Sequence, residues 1–113
     1  MTGALDPEVR DIPVERRFVL EQDGAIAELV YRREPGGLVL VHTGVPDQLG
    51  GRGIGGRLVR AAAQRAADEH LTIVPECPFA RRWLSDHPEV TGTIAVDWGP
   101  GGRPRDSDDG SDE

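Results

Sequence analysis

Five glycines crowd into Leu49-Gly50-Gly51-Arg52-Gly53-Ile54-Gly55-Gly56-Arg57-Leu58-Val59, and the apolar spacing that begins at Ile54 is helical. A helix starts with backbone N–H groups that have no internal partner, and its aligned peptide dipoles put partial positive charge there. Glycines just before it remove the side chains that would keep an anion away, so a phosphate or diphosphate is the natural occupant. A flexible connector would also use glycine, but would not need it at the start of a strongly patterned helix. The P-loop pattern fails, because no Lys-Ser or Lys-Thr follows. Gly51-x-Gly53-x-x-Gly56 does fit the dinucleotide fingerprint, with Glu76 twenty residues later in the place of a ribose-binding acid. That fold, however, places its loop after the first strand and needs more parallel strands than this chain supplies.

Three further side chains have types suited to chemistry. Cys77 directly precedes a helix that opens at Pro78, and helix N-termini favour the thiolate. Its plainer reading is a buried cysteine acting as a small hydrophobe. Glu76 beside Pro75 reads also as a solvated loop carboxylate, and His42 at a strand end as a hydrogen-bonded structural residue. His70 and His87 fall at helix ends, and with Cys77 they lack zinc-ligand spacing, so no metal is assigned. Phe79, Trp83 and Leu84 read as core.

The elements that must position these residues follow from periodicity. Met1 to Asp11 is a polar lead-in. Val14 to Glu21 reads as a strand, with Phe18 and Leu20 on one face and Val19 on the other. Asp23-Gly24 signals a tight turn, and Ala25 to Arg33 alternates as a half-buried antiparallel strand. After Pro35-Gly36-Gly37, Leu38 to Val41 is apolar on both faces, as a central strand would be. From Ile54, steps of four through Leu58, Ala62 and Ala66 set a helical stripe, with Arg57, Arg60 and Arg65 facing away. Leu71 to Val74 is a short strand, and a second helix runs from Pro78 toward His87-Pro88. Thr91 to Trp98 alternates as a last strand or arm. The organisation is a flexible lead-in at 1–12, one domain at 13–98 and a disordered acidic tail at 99–113.

Composition narrows the function. The chain has 113 residues, one domain's length, and a formal net charge of −7. All 13 of its basic residues are arginine and form no stripe, which excludes a phosphate-backbone binder as the expected class, so no nucleic acid partner is assigned. Cys77 is the only cysteine, so no intramolecular disulfide can form. Neither a signal-peptide core nor an apolar membrane-spanning run occurs, which points to a cytoplasmic protein without a membrane partner.

Taken in order, His42-Thr43-Gly44-Val45-Pro46, Gly50-Gly51-Arg52-Gly53-Ile54-Gly55, Ile73-Val74-Pro75-Glu76-Cys77-Pro78-Phe79 and His87-Pro88-Glu89 resemble the small YjdJ-type branch of the GNAT acetyltransferases. The resemblance covers about residues 14–90. It implies an α/β (α+β) fold with a mixed, mostly antiparallel sheet, a glycine-loop helix and a second short helix. It implies that the sheet splays near Thr43, Gly44 and Val45 to take a pantetheine arm, and that Gly50, Gly51, Arg52, Gly53, Ile54, Gly55 and Gly56 hold the diphosphate of acetyl-coenzyme A. Two departures stand out: the diphosphate motif usually starts with Gln or Arg where Gly50 stands, and the branch often has Glu where Gly44 stands. Acetyl transfer to an amine acceptor needs a base, for which Glu76, His42 or a water between them are the candidates. Cys77 could accept the acetyl group or contact the cofactor's sulfur. Larger relatives use a tyrosine as the thiolate's acid, and Tyr31 lies in the wrong strand for that. The alternative is a coenzyme A-binding module with little or no catalysis.

Overall fold

The structure, a computed structural model, describes residues 6–100. The sheet is built from β1 (Val9–Ile12), β2 (Arg17–Gln22), β3 (Ala25–Glu34), β4 (Gly37–Gly44), β5 (Thr72–Pro75) and β6 (Ala95–Val96). Their spatial order is their chain order. The first four strands pair antiparallel, whereas β4–β5 and β5–β6 pair parallel. The change of direction requires a crossover. It is supplied by α1 (Ile54–Glu69), which connects β4 to β5. Two shorter helices, α2 (Pro78–Ser85) and α3 (Pro88–Thr91), follow β5. This is the mixed, mostly antiparallel sheet with a glycine-loop helix that the sequence implied, plus the unexpected turn of α3.

The period-two pattern decides which face is covered. Phe18, Leu20, Ala27, Leu29, Tyr31, Leu38, Leu40 and Ile73 share one core with Leu58, Ala62 and Ala66 of α1, Leu84 of α2 and Val90 of α3. All three helices therefore lie on one face of the sheet. The opposite face buries Val19 and Val39 beneath charged neighbours rather than beneath a helix. Asp23 and Gly24 both take positive φ, 52° and 79°, as a two-residue hairpin turn demands.

Four expectations need correction. Val9–Ile12 is no loose lead-in but an edge strand. It carries little apolar signal because polar contacts hold this segment: Asp11 accepts hydrogen bonds from Tyr31 Oη at 2.7 Å and from Arg65 at 2.6 Å. Just before it, Arg57 reaches Asp6 at 2.6 Å and Glu8 at 2.7 Å, so the arginines on the outer face of α1 grip the start of the sheet. The Arg57 hydrogen bonds hold the Asp6 carboxyl below the usual carboxylate range. Val14 is not in a strand; it sits 89% exposed in a short 3-10 turn, Pro13–Glu15, and β2 begins at Arg17. Thr91 to Trp98 mostly turns, leaving only Ala95–Val96 paired. Phe79, placed in the core by its helical spacing, is 44% exposed. Residues 101–113, read as most of an acidic tail, lie outside the described residues.

Candidate functional site

β4 is the strand that opens the sheet. Its pairing with β5 ends at Leu40↔Pro75, where the Leu40 carbonyl accepts hydrogen bonds from the Glu76 and Cys77 amides at 3.0 and 2.9 Å. Its other edge stays paired with β3 as far as Gly44↔Glu28. Val41–Gly44 thus keeps one edge free of any strand, and β4 and β5 diverge there. The divergence starts slightly earlier than the Thr43–Val45 region inferred from sequence. A bulge helps: Val30 pairs with His42 and Tyr31 with Leu40, so Val41 is the extra residue on β4. Bulges bend a strand and re-aim its side chains.

Beyond Gly44 the chain runs through a 3-10 turn, Asp47–Leu49, into the glycine loop. The loop is anchored, not slack. Leu49 is fully buried, which is worth about 2 kcal/mol. Arg52 donates to Gln22 and Asp23 on the β2–β3 turn, both at 2.7 Å, and to the Gln48 carbonyl at 3.2 Å. The guanidinium of Arg52 is therefore engaged in holding the loop's shape.

The glycines divide into two groups. Gly51 and Gly53 have φ of 80° and 73° and nothing within 4 Å of where a Cβ would stand, so they serve backbone conformation and leave open space. Gly53 is the N-cap of α1 and offers no side-chain cap to the first-turn N–H groups. Gly55 and Gly56 instead serve packing. A Cβ on Gly55 would lie 2.8 Å from the Phe79 ring, and one on Gly56 would lie 2.3 Å from Trp83 Nε1. Trp83 in turn stacks on His87 at 3.7 Å and lies under the Arg60 guanidinium at 5.2 Å. The aromatic residues of α2 thus explain half of the motif by close helix approach. Sequence reasoning missed this: the i, i+4 spacing of Phe79 and Trp83 puts them on one helix face, but only the tertiary structure sets that face against Gly55 and Gly56.

Cys77 is the N-cap residue of α2 and makes no side-chain capping bond; its thiol lies instead 3.3 Å from Thr43 Oγ1, which joins β4 and α2 on the core side of the opening. The thiol is buried, at 4% residue exposure. The two proposed bases part company. Glu76 is exposed and leans toward Arg32, 3.5 Å away. His42 is exposed on the opposite face from Thr43, and no hydrogen bond among the described residues engages its ring. Glu28, the cross-strand partner of Gly44, was not anticipated; its one clue was an acid set among the apolar residues of the first part of β3. Among the described residues no group of His, Cys, Asp or Glu is placed to hold a metal ion, and no helix is long and apolar enough to cross a membrane. His70 takes φ 58° to end α1, and His87 Nδ1 donates to the Trp83 carbonyl at 2.6 Å.

Comparison with known proteins agrees with this geometry. Residues 17–93 match the profile of the GCN5-related N-acetyltransferases. The solution NMR structure of a GCN5-like candidate N-acetyltransferase from Staphylococcus aureus has a TM-score of 0.63 at 28% identity, over 84% of this chain and 95% of that one. No curated protein matches the sequence.

Proposed function

Because the chain belongs to the GCN5-related N-acetyltransferase family, we propose that it binds acetyl-coenzyme A and transfers the acetyl group to an amine, as a member of the small YjdJ-type branch. One observation carries this reading: a continuous backbone track joins the unpaired edge of Val41–Gly44 to the uncapped first turn of α1. A diphosphate suits the loop Gly50–Gly56, where Gly51 and Gly53 clear the approach to the helix N–H groups. A pantetheine arm, with its two amides, suits the free edge of β4 at Thr43 and Gly44 and the backbone of Val45 just beyond it. Arg52 contributes by holding the loop against the β2–β3 turn.

The amine must be neutral to attack, and His42, exposed and with no hydrogen bond among the described residues engaging its ring, is the base that takes its proton. Glu76, drawn toward Arg32, acts through water at most. Cys77, buried beside Thr43, meets the sulfur end of the thioester and is too enclosed for an acyl acceptor that exchanges with solvent. The reaction forms the C–N bond and breaks the C–S bond, and the departing thiolate takes a proton. The cosubstrate goes with a cytoplasmic setting. Calorimetric titration with acetyl-coenzyme A, followed by thiol release over an amine panel, tests the reading. Saturable binding with amine-dependent release is expected. Binding with no thioester cleavage would leave a coenzyme A-binding module, and no binding would overturn the site.

A further inference from the structure

On the sheet face turned away from the helices, an open groove crosses the end of β4, lined by Arg17, Ile26, Glu28, Gly44, Val45 and Pro46. Gly44 makes its floor. A Cβ there would stand 3.3 Å from His42 Nε2 and 3.8 Å from Glu28 Oε2, so the glycine leaves a niche between an imidazole nitrogen and a carboxylate oxygen. Glu28 is held in place: its Oε1 accepts a hydrogen bond from Arg17 at 2.9 Å, which leaves Oε2 toward the niche. Arg17 also binds Glu15 at 2.7 Å, so its guanidinium is shared between two carboxylates and only partly offsets the charge of Glu28. Ile26, 48% exposed, joins Val45 and Pro46 in an apolar wall beside that charge.

We propose that Glu28 receives the ammonium of the acceptor, and that the acceptor is a primary alkylamine whose aliphatic stem lies along Ile26, Val45 and Pro46. This rests on the acetyl-transfer reading above. The niche matches that chemistry on both counts. A carboxylate with one free oxygen makes a strong charge-assisted hydrogen bond to an ammonium. An apolar wall accepts methylenes, as it does for the stems of lysine side chains. An acceptor bearing a carboxylate next to its amine brings a second anion against Glu28 and is disfavoured. The ammonium, once docked, gives one proton to His42 Nε2, which passes it to solvent; the neutral nitrogen attacks the thioester carbonyl, the C–N bond forms, the C–S bond breaks, and the second proton lost by the nitrogen ends on the thiolate. Arg17 is a positioning residue, acting through Glu28.

Glu28→Gln keeps the shape and removes the charge. The acceptors to compare are 1,5-diaminopentane, a short lysine peptide with a blocked N-terminus, and 4-methylaniline, which is uncharged at neutral pH. Loss of one charge-assisted hydrogen bond should raise KM for the first two by about 10- to 100-fold with kcat nearly unchanged. KM for the aniline and the affinity for coenzyme A should stay within about twofold. Whichever alkylamine has the higher kcat/KM identifies the source, free or protein-borne. Equal losses for aniline and alkylamines would mean a structural role and overturn the proposal, as would unchanged KM values; acetyl transfer itself would stand in both cases. A second readout is independent of turnover. Titrating 1-butylammonium into the coenzyme A complex should move the Glu28 and Gly44 amide resonances. Absence of that shift overturns the niche, whereas a shift without turnover would keep the niche and remove the transfer reading.

Discussion

Gly53 offers the cleanest perturbation of the proposed diphosphate site. Gly55 and Gly56 are unsuitable, since any side chain there collides with Phe79 or Trp83 and confounds folding with binding. Gly53 sits at φ 73° with nothing within 4 Å of its missing Cβ, so the constraint is conformational. Asn and Asp tolerate the left-handed region better than other residues, at a cost of about 1 kcal/mol or less. Gly53→Asn is therefore the neutral control and Gly53→Asp the charged test. Two unit charges about 4 Å apart repel by roughly 1 kcal/mol in bulk water and roughly 4 kcal/mol near a protein surface. This loop faces solvent, so the lower part of that range applies. Asp should weaken coenzyme A by about 10- to 100-fold relative to Asn, which corresponds to roughly 1.4–2.7 kcal/mol. Both variants should melt within a few degrees of the parent. Calorimetry gives the affinities, and added salt should narrow the gap between them. A pantetheine thioester that lacks the diphosphate should bind both variants alike. If a folded Gly53→Asp protein binds coenzyme A as tightly as Gly53→Asn does, the first turn of α1 is not the anion site.

Three further outcomes are expected. Gly56→Ala would gain about 1 kcal/mol from helix propensity alone, but its Cβ stands 2.3 Å from Trp83 Nε1. Net destabilisation of about 1–2 kcal/mol, a fall of very roughly 5–10 °C in Tm, should follow, and most of it should vanish in a Trp83→Leu background; a raised Tm in the single variant would refute the packing account. Tyr31, the only tyrosine, has its pKa pushed up from 10.0 to about 12, first by burial and then by the Asp11 hydrogen bond. The folded state favours the neutral phenol, so this contribution, about 3 kcal/mol, is complete below pH 10 and lost as pH rises toward 12. Phenolate absorbance should titrate near 12 in the native protein and near 10 in denaturant; a native midpoint of 10 would contradict it. Cys77→Ala should cost about 1–2 kcal/mol, leave coenzyme A affinity intact and lower turnover, and iodoacetamide should reach the native thiol far more slowly than the unfolded one. Unchanged turnover would remove the thiol from the chemistry.

Much of this protein is legible in its residue order, because the strongest signals are local. The alternation through Phe18, Leu20, Ala27, Leu29 and Tyr31 marks one buried face. The four-residue steps from Ile54 to Ala66 mark the start and body of α1, which runs to Glu69 with His70 as its C-cap. The proposed anion site also rests on a local signal, glycines placed before an amphipathic helix. Contacts between distant segments were not legible. β1 is held by Asp11, Tyr31 and Arg65, residues far apart in the chain, so no periodicity announces it. The meaning of each glycine also depends on what lies opposite it: open space for Gly51 and Gly53, an aromatic ring from α2 for Gly55 and Gly56. Glu28 reaches Gly44 only through the β3–β4 register, and that register carries a bulge at Val41 which alternation along one strand cannot reveal. Local sequence sets propensity and the inward face; pairing across the sheet and packing between helices determine which side chains meet, and the chemistry depends on those meetings.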